Sequence, residues 1–181
     1  MQEYPVIFKK NKLLIFSFII FGLLQTAHAT VSNDTAMQNA VLVHINEYRQ
    51  QHGLPKLTMD NHLVREAKQH SNDMASHRMP FGHQDFTKRI ARLHKQIKNS
   101  GAGAENVAYN YKDARTVVQQ WVRSPGHQRN IVGNYNLTGI GIARDRLGRI
   151  YYTQIFLRTG ENQRRALSRR PFFGISFKRS A

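Results

Sequence analysis

The chain has 181 residues, no cysteine, and 27 lysines and arginines against 11 aspartates and glutamates, a formal charge of +16. Without a thiol it can carry no disulfide, no thiolate zinc site, no cysteine nucleophile and no lipid anchor on a cysteine. The positive surplus points to a partner of negative charge: an anionic membrane surface, a polyanionic envelope polymer or nucleic acid.

Lys9, Lys10 and Lys12 precede the uncharged run Leu13–Leu24. That run is well short of the roughly 20 residues a membrane-spanning helix needs. With Ala27 and Ala29 as the small residues of a cleavage site, residues 1–29 are predicted to be a signal peptide, and the protein to be exported, to the periplasm or beyond. The remaining 152 residues, with a formal charge of +14, suit one domain, placed at residues 30–160.

In chain order, "MQNAVLVHINEYRQQH" (residues 37–52) puts Ala40, Val41, Ile45 and Tyr48 at helical spacing before Gly53 and Pro55 stop it. Asn46 and Arg49 near its end read as structural polar residues. A second helix follows Asp60 as N-cap, with Leu63, Ala67, His70 and Met74 on one stripe, and is expected to close at Pro80. His70 on that stripe reads as a buried, hydrogen-bonded histidine. "DFTKRIARLHKQI" is a third helix with Phe86, Ile90, Leu93 and Ile97 inward, and "NSGAGAEN" a glycine-rich break before a strand near "ENVAY". "ARTVVQQWVRS" is a fourth helix, stopped by Pro125, with Trp121 anchoring a layer. Two β-rich runs around "DRLG" form a hairpin in which Gly148 takes a positive φ. Residues 161–181 carry six basic residues against one glutamate, without an amphipathic period, and read as a flexible basic tail able to meet a membrane surface. No specific nucleic acid is indicated. Helices, a strand, a helix and a hairpin in this order make an α+β fold with helices packed on a small sheet.

The zincin, nucleophile-elbow and P-loop motifs are absent. Three polar residues stand beside chain breakers: His83 in "PFGHQD", Glu105 in "GAGAENVA" and His127 in "SPGH". Two imidazoles and a carboxylate could hold a divalent cation with an open water position, or work as acid and base. Residue types alone leave open the alternatives of a solvated loop histidine and a carboxylate that orders its own loop.

"INEYRQQHGLPKL", "AKQHSNDMA", "FGH", "GAENVA", "VVQQWVRSPGHQRNI", "TGIGIA" and "YYTQIF" stand in the order and spacing of bacterial members of the CAP superfamily, the SCP domain of cysteine-rich secretory proteins, antigen 5 and pathogenesis-related proteins. The chain resembles that family from Val41 to Phe156. The resemblance implies an α-β-α sandwich with a small, mostly antiparallel sheet between helical layers, and a cleft lined by histidine and glutamate. His83 and Glu105 match the family's first histidine and the glutamate of its "GEN" motif. Ser124 and Tyr151 replace the second glutamate and second histidine of eukaryotic relatives and become candidate cleft-lining residues. His127, from the bacterial "SPGH" signature, is the candidate second imidazole. The Ser-Pro-Gly stop is expected to aim it at the cleft, with Ser124 or Asn130 capping the next turn.

The resemblance implies a binding protein for a lipid, a peptide or an anionic envelope component. A metal-assisted peptide or ester hydrolase using zinc or another divalent cation on His83, Glu105 and His127 is the alternative.

Overall fold

The computed structural model describes residues 33–160, so the expected leader and basic tail lie outside the described residues. The chain divides into two compact units between Met37 and Gln38. Of the first unit, residues 33–37 are described and are helical.

The second unit opens with helix α1 (residues 38–51), which buries Val41 and Ile45. Strand β1 (Thr58–Met59) is too short to have been legible in the sequence. Helix α2 (Asn61–Ala75) starts where Asp60 accepts hydrogen bonds from the backbone N–H groups of His62 and Leu63, as its N-cap role requires. It stops earlier than Pro80 suggests, because the Ser76 hydroxyl bonds back to the Asn72 carbonyl and His77 turns into a left-handed conformation at φ 57°. Helix α3 (Phe86–Gln96) buries Leu93 and, against expectation, Arg89.

The supposed glycine-rich break is itself strand: β2 runs over Ser100–Tyr109, with an irregularity in its pairing between Ser100 and Gly103. Helix α4 (Ala114–Arg123) is capped by Asp113, which accepts from the Thr116 N–H. Pro125 ends α4 and opens a second helix, α5 (Pro125–Ile131), because a missing N–H costs nothing in a first helical turn. Strands β3 (Leu137–Arg144) and β4 (Ile150–Thr159) form the expected hairpin, with Gly148 at φ 74°.

The sheet order is β1-β3-β4-β2, antiparallel except for the β1–β3 pair, with β2 at one edge. Side chains alternate along β4. Ile155 and Leu157 meet Leu63, Ala67 and Leu93 of α2 and α3, and Tyr151 meets Met74, Val107 and Ala143 further along the same face. Tyr152 and Phe156 point to the opposite face, where Phe156 meets Tyr135 and Arg49 of α1 binds the backbone after α5. This is the expected α-β-α sandwich. Gly139 and Gly141 explain how closely its layers pack. A Cβ at either position would collide with the α2 backbone at Leu63 or Ala67, so "TGIGI" lets the helix lie directly on β3.

Arg49 is the main polar fastening on the second face. Its buried guanidinium donates to the carbonyls of Pro55, Ile131, Gly133 and Tyr135 at 2.7–3.1 Å. Asn46 exchanges two hydrogen bonds with the backbone of Leu57. Both are structural, as the sequence indicates.

Candidate functional site

Glu105 lies on β2 opposite Ile155, so its side chain enters the α2–α3 layer, where it is almost completely buried. A lone carboxylate there would be neutralised or expelled, because a charge in an apolar interior needs a partner. Arg89 is that partner. Its Nε donates to Glu105 Oε2 at 2.9 Å and its Nη2 to Oε1 at 2.8 Å, the two-pronged geometry that suits guanidinium and carboxylate. Burial alone would raise the Glu105 pKa, but the hydrogen bonds from His83 and Arg89, with the Arg89 charge, outweigh it and hold the carboxyl below its ordinary value.

Two bonds tie the loop that carries His83 to this pair, and a third ties it to His70. Arg89 Nη1 donates to the Gln84 carbonyl at 2.7 Å, His70 Nε2 to the Gly82 carbonyl at 2.8 Å, and His83 Nδ1 to Glu105 Oε1 at 3.0 Å. The chain breakers around "FGH" therefore allow the loop its shape, while buried side chains hold it. Half of the His83 side chain (51 %) is exposed. With Nδ1 committed to Glu105, Nε2 is the nitrogen presented outward. Two residues earlier in the same loop Phe81 is exposed, its ring 6.0 Å from that of Tyr109.

His70, whose Nε2 also lies 3.8 Å from Glu105 Oε1, has a buried Nδ1 without a hydrogen-bond partner. Burial lowers its pKa more than the Glu105 charge raises it, which favours the neutral form, and the bond to the Gly82 carbonyl puts a proton on Nε2.

His127 reaches the β2 edge from the other layer. It stands in the first turn of α5, which is fastened to β2 by Asn106 Nδ2 on the His127 carbonyl, and by Asn130 Nδ2 on the Glu105 carbonyl and on Asn106 Oδ1. The backbone around His127 is thus pinned to the residue beside Glu105. Its ring lies 6.5 Å from that of Trp121, and its buried Nδ1 has no hydrogen-bond partner. Burial first, and the neighbouring His83 second, lower its pKa.

The two remaining candidates stand apart from the Glu105 cage. Tyr151 is packed in the core beside Met74 and Val107, and Ser124 is half-buried at the start of α5 without a side-chain bond to the helix. Asn130 binds β2 and does not cap a turn.

A metal ion does not fit these residues. Among the described residues no three histidine, aspartate or glutamate side chains are grouped to hold one. Arg89 engages both Glu105 oxygens and His83 a lone pair of Oε1, so a cation would have to displace a buried guanidinium. The set of His83, Glu105 and His127 with zinc or another divalent cation, expected from the sequence, therefore does not fit the donor geometry of the described residues.

Arg89, Asn106 and Asn130 were not legible as site residues. For Arg89 a signal existed: it falls three residues after Phe86 and four before Leu93, on the inward stripe of α3. A charge on such a stripe calls for a buried counter-charge, and Glu105 is one.

Residues 42–156 match the model of the cysteine-rich secretory protein family, CAP. The chain is 33% identical over 129 residues to the uncharacterized membrane protein YlbC of Bacillus subtilis (strain 168), covering 68% of this chain and 35% of that one. It is 32% identical over 136 residues to the uncharacterized protein YkwD of the same organism, covering 73% and 51%. It therefore spans about a third to a half of the length of these relatives. A solved structure of an extracellular protein containing a SCP domain from Bacillus anthracis str. Ames superposes with a TM-score of 0.58 at 25% identity, over 70% of this chain and 41% of that one. With a family match over most of its length and a matching fold, the chain belongs to the CAP family of cysteine-rich secretory proteins, though it has no cysteine of its own.

Proposed function

We propose that the chain is an exported binding domain that holds a cell-envelope component, a peptide or a lipid against His83 and Phe81 without turning it over. The observation that carries this reading is the Arg89 clamp on Glu105. A carboxylate neutralised at both oxygens is a poor general base and a poor metal ligand, and among the described residues no serine or threonine hydroxyl is hydrogen-bonded to His83 or His127 as an activated nucleophile. The cage leaves a fixed outward imidazole in the same loop as an exposed aromatic ring, a small polar anchor on an apolar edge. Export rests on the leader-like sequence and on the extracellular relative.

One observation favours a second reading. A carboxylate holding Nδ1 of a half-exposed imidazole is also how a general base is oriented, which supports a hydrolase using water without a metal. Incubating the protein with purified envelope material separates the two. Co-sedimentation with no released fragments is the expected result. Fragments that disappear with His83→Ala would overturn the binding reading in favour of the hydrolase.

A further inference from the structure

His83 and His127 approach the edge strand β2 from opposite layers, and each is fixed to a neighbouring residue of that strand. His83 Nδ1 donates to the Glu105 carboxylate at 3.0 Å, and the His127 carbonyl accepts from Asn106 Nδ2 at 3.2 Å. The two side chains are near enough that a charge on His83 lowers the pKa of His127. In each ring one nitrogen is bonded or buried, and the other is left to meet a ligand.

Those two remaining nitrogens differ in kind. An ionised carboxylate can only accept, so Glu105 puts the proton of the His83 ring on Nδ1 and leaves a lone pair on Nε2. In His127 the order is reversed. Its Nδ1 is buried without a hydrogen-bond partner, and Nε2 is the ring nitrogen that reaches solvent. Orphaned buried N–H groups are rarer than under-satisfied acceptors, which places the His127 proton on Nε2. One layer therefore offers an acceptor and the other a donor. The polar side chains around them are already committed, Glu105 to Arg89 and His83, and Asn106 and Asn130 to each other and to backbone carbonyls.

Resting on the binding reading above, we propose that the two histidines take one peptide bond of an extended peptide, His83 Nε2 accepting from its N–H and His127 Nε2 donating to its carbonyl. In a planar trans peptide unit the N–H and C=O point in opposite directions, which suits a group held between two layers. Phe81, exposed in the loop that carries His83, gives an apolar contact for a side chain of the same peptide. A carboxylate, with no proton to give, would set its lone pairs against that of His83, which disfavours a fatty-acid head group. A sugar ring brings several hydroxyls, and the committed side chains leave these without matching partners. A peptide bond brings one donor and one acceptor, the number the site presents.

The test uses the full chain at about pH 8, above the ordinary imidazole value of roughly 6.5. Ring-nitrogen NMR shifts report the tautomer of each histidine, first in the free protein and then during titration with acetyl-alanyl-leucyl-alanine methylamide. A parallel titration uses its depsipeptide counterpart, in which esters keep the carbonyls and remove the internal N–H donors. The expected result is Nδ1–H in His83, Nε2–H in His127, and shifts at both rings on adding the peptide. The ester counterpart should bind about tenfold more weakly or worse, because a site that accepts from an N–H rejects the analogue lacking it. The same tautomer in both rings, a peptide that moves neither ring, or equal binding of amide and ester overturns the proposal. No substitution is involved, so a misfolded variant cannot imitate these outcomes. Envelope capture that depends on His83, beside a peptide that moves neither ring, would overturn the peptide assignment and leave the binding reading standing. Failure of the binding reading itself shows elsewhere, as fragments released from the envelope material.

Discussion

Two arginines are buried on opposite faces of the same sheet, and each is satisfied differently. Arg49, on the α1 face, is surrounded by four backbone carbonyls and has no carboxylate partner among the described residues; burial lowers its pKa. Arg89, on the α3 face, grips the carboxylate of Glu105 and makes a single carbonyl bond. The first arrangement fastens loops and leads nowhere else. The second passes through Glu105 to an imidazole at the surface. A buried guanidinium is therefore no sign of a site by itself; what its partner touches decides.

The comparison can be broken by removing each charge in turn. Arg89→Met leaves Glu105 buried without its guanidinium partner and is expected to cost about 3–5 kcal/mol, with much of the loss recovered in the Arg89→Met, Glu105→Gln double variant. Urea melts of both provide the check, and a double variant no better than the single would mean that Arg89 acts through packing alone. Arg49→Met orphans carbonyls that can relax partly toward water and is expected to cost about 2–4 kcal/mol, with no carboxylate change able to rescue it.

Acid should act on the histidines and on Glu105 rather than on either arginine. The pKa values of His70 and His127 are lowered by folding, so the unfolded chain takes up more protons and stability falls as pH drops below the ordinary histidine value of 6.5. Glu105, also lowered, adds stability that is present above its ordinary value of 4.5 and is lost as pH falls through its folded value. Urea midpoints measured from pH 7.5 down to about 2 should decline in these two stages, and His127→Gln should flatten the first. The smallest stability effect belongs to His83→Ala, about 1 kcal/mol for one half-exposed hydrogen bond. The same variant should show the largest drop in capture of envelope material. Comparing its melting curve with its co-sedimentation separates the two effects.

Much of the layout follows from local pattern. The Asp60 cap, the Trp121 helix, the Gly148 turn and the inward stripe of α2 are each set by residues a few positions apart, and periodicity reads them directly. Less visible were β1, at two residues too short to show a period, and the start of β2, whose glycines look like a break. Irregular pairing at Ser100/Gly103 and neighbouring strand β4 make that segment extended, and nothing local does so.

The site divides along the same line. His83, Glu105 and His127 could be picked out because each stands in a distinctive short motif, and sequence resemblance placed them in one family's order. Composition likewise determined that no thiol chemistry was available. What those residues do was decided by partners 16 to 25 positions away: Arg89 on Glu105 and Asn130 on the Glu105 carbonyl. Short-range order is set by dihedral preferences and hydrophobic period, which the sequence displays. A buried charge must instead be matched by whichever side chain the packed layers bring within 3 Å, and that choice exists only in the folded chain.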